Sequence, residues 1–196
     1  MGNINKDRSF ENSVFINCPF EPCYEDLFKA VFFTVIACGF NPVSALDEND
    51  GGLRIEKIKE KIEGCQYGIH DISLIDLDED SKLPRFNMPF ELGLDFGCKT
   101  YGGLQFKKKN FLIFESSRYK LQVYLSDLAG CDPRCHNRQT EMEIREFRKW
   151  LNSAVAEIGK FRLPGEKIIK EAFDRFLTKF PSICADMKVD VGSISH

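Results

Sequence analysis

No stretch of this sequence is long and apolar enough to span a bilayer. The longest apolar run, Ala30 to Cys38, is less than half of the ~20 residues that a spanning helix needs. The opening residues, Met1 to Asn12, are polar and carry no apolar core of a secretory signal, so a cytoplasmic protein without a membrane partner is expected. Neither G-x-G-x-x-G nor G-x-x-x-x-G-K-[ST] occurs, which removes the dinucleotide fingerprint and the P-loop as grounds for hydride transfer or NTP hydrolysis. Charge of one sign is also missing. A formal net charge of −3 creates no field that would gather nucleic acid, and the basic stretches at Lys107-Lys108-Lys109 and around Arg145 and Arg148 read as solvated faces. Repeats and low-complexity segments are absent.

Eight cysteines are present, but not in a disulfide pattern. Cys18, Cys38 and Cys65 sit in or beside apolar segments, where a reduced thiol behaves as a small hydrophobe. Cys131, Cys135 and His136 cluster, yet Cys-x-x-x-Cys-His lacks the second half of a four-ligand zinc site, and no metal is expected.

What remains is an ordinary globular composition, 43% hydrophobic and 29% charged, in 196 residues, which suits one core better than two. The expected organisation is a polar segment over 1–12, an α/β domain over 13–130, a helical extension over 131–185 packing on the domain or on a partner, and a tail over 186–196. Val14 to Asn17 reads as a strand stopped at Cys18-Pro19, because proline cannot donate to a central ladder. Tyr24 to Cys38 carries a broad apolar helical stripe closed by Gly39. A strand over Phe40 to Ala45, a helix over Arg54 to Glu63, a strand over Tyr67 to Ile72, a short helix over Pro89 to Gly97 and a strand over Asn110 to Phe114 follow. Gln139 to Ile158 and Glu166 to Phe180 are helical, and either wrap the sheet or make a subunit contact. Alternation at this spacing predicts a flavodoxin-like or Rossmann-like parallel sheet of about four or five strands, flanked by helices.

Ligands of such sheets bind beyond the carboxyl ends of the strands. That rule selects Asn17 to Phe20, the loop after Ala45, Asp71 to Ser73, and the approach to Glu91. Glu91 is expected in the first turn of its helix, with Pro89 among the first helical positions and Asn87 or Met88 as the cap. The helix dipole there favours the carboxylate form, which can attack or support a developing oxocarbenium centre. A plain capping-box glutamate suits the same position. Asp71 ends its strand at the substrate edge, and a turn-forming role for the Ser73 loop is equally open. Asn17, Asp50 and Arg54 are the other polar residues at this edge, with Arg54 placed to hold a phosphate or ribose. His70 faces the other side of the sheet from Asp71 and reads as packed.

Taken together, Val14-Phe15-Ile16-Asn17-Cys18-Pro19-Phe20, the helix from Arg54 leading into Tyr67 to Ser73, and Glu91-Leu92-Gly93 with Gly97 and Lys99 downstream resemble the nucleoside 2-deoxyribosyltransferase-like families, which are related in architecture to TIR domains. The resemblance covers about residues 13 to 115. It implies that Glu91 is the nucleophile or oxocarbenium stabiliser, that Asp71 contacts the base or handles the leaving-group proton, and that Asn17 and Phe20 line the sugar pocket. An overall likeness to small bacterial proteins, some of them neighbours of anti-phage defence systems, implies a nucleoside, nucleotide or NAD as substrate and not as cofactor. It also implies a homo-oligomer or a defence-system partner. The alternatives are a non-catalytic nucleotide sensor on the same fold and a protein-interaction module. The shorter spacing from Glu-Leu-Gly to Gly97 and Lys99, and the Phe86 to Phe90 approach, depart from the transferase pattern. No direct contact with nucleic acid is expected.

Overall fold

The computed structural model describes residues 9–44, 53–75, 84–128, 130–156 and 163–188. Five strands form one parallel sheet: β1 (Ser13–Asn17), β2 (Asn41–Ser44), β3 (Tyr67–Asp71), β4 (Asn110–Glu115) and β5 (Arg134–Cys135), in the order β2-β1-β3-β4-β5. This order is flavodoxin-like, one of the two types that the alternation left open, with its switch point between β1 and β3. Every residue of β1 and of β3 is buried, because helices cover both faces of the sheet.

On one face lie α1 (Glu25–Ala37), α5 (Thr140–Ala156) and α6 (Glu166–Met187). In α1 the buried residues Leu27, Ala30, Val31, Thr34 and Val35 fall on one stripe of the 3.6-residue period. The helix ends as its sequence dictates: Gly39 adopts a left-handed φ of 88°, the Gly39 N–H donates to the Ile36 carbonyl at 2.9 Å, and the Phe40 N–H donates to the Val35 carbonyl at 3.1 Å. Ile144, Phe147, Leu151 and Val155 of α5 join Val14, Ile16 and Ile69 in a single core with Ile169 and Phe173 of α6. Fully burying a side chain such as Phe147 contributes about 1.5–3 kcal/mol.

On the other face lie α2 (Arg54–Glu63) and α3 (Asn87–Tyr101), with α4 (Lys120–Tyr124) alongside the end of β4. The sequence placed α2 at its observed bounds. It stopped the next helix too early, at Gly97: α3 continues to Tyr101, because Leu94 and Cys98 pack against Phe15, Ile58 and Ile62 and offset the helix-weakening glycines. The fifth strand was not legible, being only two residues long and paired through Phe114–Arg134 and Glu115–Cys135.

Lys109 departs from its expected solvated face. Its ammonium is fully buried, donates to the Ile62 carbonyl at 2.6 Å and to the Cys65 carbonyl, and lies 3.1 Å from Asp95 Oδ1. The Ile62 carbonyl also accepts the Cys65 N–H at 3.2 Å, so Lys109 adds a charged donor at the C-terminal end of α2, where the helix dipole favours a cation and draws this lysine inward.

Candidate active site

Alternation along β3 sends consecutive polar residues into two different buried networks. His70 points toward α3 and Asp71 toward α1 and α5. On the α3 side the Asn17 amide nitrogen donates to the Met88 carbonyl at 3.0 Å and lies 3.1 Å from His70 Nδ1. An amide NH2 only donates, and the Met88 carbonyl only accepts, so His70 Nδ1 is the acceptor and Nε2 carries the proton. Nε2 then donates to Asp95 Oδ2 at 3.0 Å. Burial alone would push the Asp95 carboxyl up, but the adjoining His70 and Lys109 hold it below the usual carboxylate range. The chain of contacts runs from the first turn of α3 through β1 and β3 to the fourth position beyond Glu91 on α3.

Glu91 stands at the carboxyl edge of the sheet, buried, with Oε2 lacking a hydrogen-bond partner among the described residues. It is not in the first turn, as the sequence suggested. The helix opens at Asn87 behind Phe86, which gives no side-chain cap, and Pro89 occupies its third position, where a missing N–H costs nothing. Glu91 is therefore the fifth helical residue, and the dipole does not govern it. Burial pushes its carboxyl up to about 7, and the positive charge of Arg54 pulls the other way. Arg54, exposed at the first position of α2, is thus a cation near enough for its charge to act on Glu91.

On the opposite face, Asp71 is saturated. Its Oδ2 accepts the Tyr24 hydroxyl and lies 3.0 Å from His136 Nε2, and its Oδ1 accepts the Ser73 N–H at 2.8 Å. Burial would raise its carboxyl, but His136, Ser73 and Tyr24 more than offset this and hold it below the usual range. The Tyr24 hydroxyl is pushed well up by burial and by Asp71, so it stays a donor. His136 Nδ1 accepts the Arg138 N–H at 2.9 Å, and the same Nε2 that faces Asp71 faces Ser73 Oγ at 2.8 Å. A nucleophilic triad needs the imidazole to bridge serine and carboxylate through different nitrogens. Ser73, His136 and Asp71 do not meet that requirement. Glu143 of α5 is buried behind Asp71, and burial followed by the Asp71 charge pushes its carboxyl well above the usual range.

The expected site residues therefore divide. The Arg54 charge acts on Glu91, and Asn17 fixes the α3 turn that precedes Glu91. Asn17 is itself buried, with its amide nitrogen engaged by His70 and Met88. Phe20 is half-buried, edge-on to Phe28 with centroids 5.9 Å apart. Asn87 is exposed at the start of α3, Ser73 is buried against His136, and Asp50 lies outside the described residues. A leaving-group role for Asp71 meets a carboxylate already filled by Tyr24, His136 and Ser73. The point common to both faces is Cys18, whose thiol is raised by burial and then by Asp71, Glu143 and Glu91.

Tyr24, Asp95, Lys109 and Glu143 carry these networks and escaped the sequence reading. The available signal was a charged or polar residue at an inward position of an otherwise apolar period. Cys131 and Cys135 line a separate cleft of about 380 Å³ beyond β4 and β5, with Arg118, Arg134 and Arg145. Among the described residues no group of three or more His, Cys, Asp or Glu is arranged to hold a metal ion, and none of their helices is long and apolar enough to cross a membrane. Comparison with known proteins finds no matching family model and no matching curated protein.

Proposed function

We propose that the protein cleaves or transfers at the N-glycosidic bond of a nucleoside, nucleotide or NAD, with Glu91 as the reacting carboxylate. The observation that carries this reading is the Glu91 carboxyl itself: buried at the carboxyl edge of a parallel sheet, without a donor for Oε2 among the described residues, and within reach of the Arg54 charge. Asp71 is held by donors and Asp95 by His70 and Lys109; Glu91 shares with Glu143 an Oε2 without a hydrogen-bond partner among the described residues, and of these two Glu91 is the one on which a cation, Arg54, acts. Glu91 is kept costly, which is the condition expected of a group whose partner is a substrate. In the proposed reaction a Glu91 oxygen attacks the anomeric carbon while the carbon–nitrogen bond breaks and its electron pair leaves with the base. Water or an acceptor hydroxyl then bonds to the anomeric carbon and frees Glu91 as the carboxylate, and the proton it gives up passes to the departed base or, where the base leaves neutral as nicotinamide does, to solvent. Arg54 anchors a phosphate or ribose hydroxyl at the N-terminus of α2. Asp71 acts as a positioning residue that fixes the end of β3. The substrate class rests on the resemblance of the Asn17-Cys18-Pro19-Phe20 and Glu91-Leu92-Gly93 segments to deoxyribosyltransferase-like enzymes.

The test is incubation of purified protein with NAD and a panel of nucleosides and nucleotides, followed by chromatography of the released base. Base release that disappears in Glu91→Gln supports the reading. Absence of release from every substrate, or release unchanged by Glu91→Gln, overturns it; calorimetric nucleotide binding without turnover would identify a sensor in its place.

A further inference from the structure

The polarity of α3 is inverted. At 100° per residue, its ionisable residues Glu91, Asp95 and Lys99 fall on the sector turned toward the sheet and α2. The opposite sector, Pro89, Phe90, Gly93, Phe96, Gly97, Thr100 and Tyr101, with Phe86 just before it, carries no charge. Among the described residues it is also the exposed side. Phe86 is 64% exposed, Phe90 56%, Phe96 39%, Tyr101 90% and, just beyond the helix, Leu104 87%. At ~150–250 Å² per aromatic side chain, the four aromatic residues present roughly 400–600 Å² of largely apolar surface. The largest patch on a monomer is about 300–600 Å², and a stable interface takes about 800 Å² from each partner.

We propose that this face of α3 is the interface of a two-fold homodimer. Three features select a second copy of the chain. The face supplies both halves of a self-complementary contact: the protruding rings of Phe86, Phe90 and Tyr101 lie beside an apolar groove of about 270 Å³ that is walled by Gly93, Gly97, Leu125 and Leu128. An isologous contact needs knob and hole on one patch. Side chains added at Gly93 and Gly97 would meet nothing within 4 Å, so the helix backbone is bare and a partner helix can approach it closely. The absence of charge suits an equally uncharged partner, whereas an amphipathic helix seated on lipid carries Lys or Arg on its polar face. The interface is independent of the chemistry assigned to Glu91, although it lies on the same helix.

The test is sedimentation equilibrium of the full chain between about 1 and 100 μM, with Phe90→Lys and Tyr101→Glu as separate variants. Dimers of twice 22.5 kDa are expected for the unaltered protein. Each variant is expected to raise the dissociation constant by about 30-fold or more, with far-UV circular dichroism unchanged. Should either variant fail to fold, hydrogen exchange of the unaltered chain serves as the second measurement: amides of residues 86–104 are expected to gain protection as concentration rises. A monomer across the whole range overturns the proposal, as does a dimer that survives both variants. Association with zwitterionic vesicles by a chain that stays monomeric in solution overturns it in favour of lipid.

Discussion

Asn17 and Met88, 71 residues apart in sequence, are joined by a hydrogen bond of 3.0 Å from the Asn17 amide to the Met88 carbonyl. The end of β1 thereby holds the first turn of α3, three residues ahead of Glu91. Asn17→Ala removes this tie and the donor to His70 Nδ1 together. The expected result is a stability loss of about 1–3 kcal/mol and a kcat lower by about 10–100-fold with KM changed far less, because the reacting carboxylate is misplaced while Arg54 still binds. Steady-state kinetics and chemical denaturation of the variant check it, and equal loss in kcat and 1/KM would count against a positioning role.

Glu91 also predicts how stability varies with pH. A carboxyl raised to about 7 in the folded chain holds its proton while the unfolded chain, near the usual ~4.3, has released it. The folded state then binds more protons, so stability falls as pH rises from about 4 to about 7. Glu91→Gln removes the ionisation and is expected to stabilise the protein by about 1–3 kcal/mol at pH 8, with little difference at pH 4. Thermal melts at the two pH values decide this. A destabilised variant at pH 8 would assign Glu91 a structural role.

The same group sets the pH profile of the proposed reaction. Attack requires the ionised carboxylate, so kcat/KM is expected to rise with pH by up to about tenfold per unit and to level off above about 7. A profile that falls through neutrality would assign Glu91 as the acid that protonates the departing base.

Asp71→Asn places an amide against the Tyr24 hydroxyl, His136 Nε2 and the Ser73 N–H, all of which donate to the native carboxylate. The expected cost at pH 7 is about 3–5 kcal/mol. The folded Asp71 carboxyl is held below its unfolded value, so its contribution is present above about pH 4 and is lost as pH falls through the folded value. The gap between variant and native protein should therefore close in acid. Urea titrations at pH 7 and pH 3 measure it.

Lys109→Met leaves Asp95 and the carbonyls of Ile62 and Cys65 without their cation. A loss of about 3–5 kcal/mol is expected, and the additional change Asp95→Asn should recover part of it, since the uncompensated charge is then gone. A double-mutant cycle in urea reads the coupling.

Much of this architecture was legible from pattern alone, because the strands and α2 announce themselves through apolar period and terminal glycines. The Cys18-Pro19 stop and the Gly39 cap have local physical causes that survive in any context. The polar interior was not legible in the same way. Lys109 sits in a run of three lysines, and nothing local separates it from Lys107 and Lys108; its burial follows from the end of α2 being close in space. Tyr24 and Glu143 lie on helical stripes that read as ordinary amphipathic faces, and they become partners of Asp71 only once α1 and α5 are laid on β3. The first-turn expectation for Glu91 failed because Pro89 is tolerated at more than one early position, so proline alone does not fix where a helix opens. Arg54 was found from position, and the action of its charge on Glu91 only from the packed fold.

The neighbouring pair His70 and Asp71 also guards the threading of β3. A slip by one residue would carry a carboxylate toward Asp95, where two anions would meet, and an imidazole toward Tyr24 and His136, where donors would find no anion. Both errors would be felt at once, one on each side of the sheet. The central strand thus discriminates against misalignment by charge as well as by shape, which keeps the edge that carries Glu91 at a single height above its neighbours.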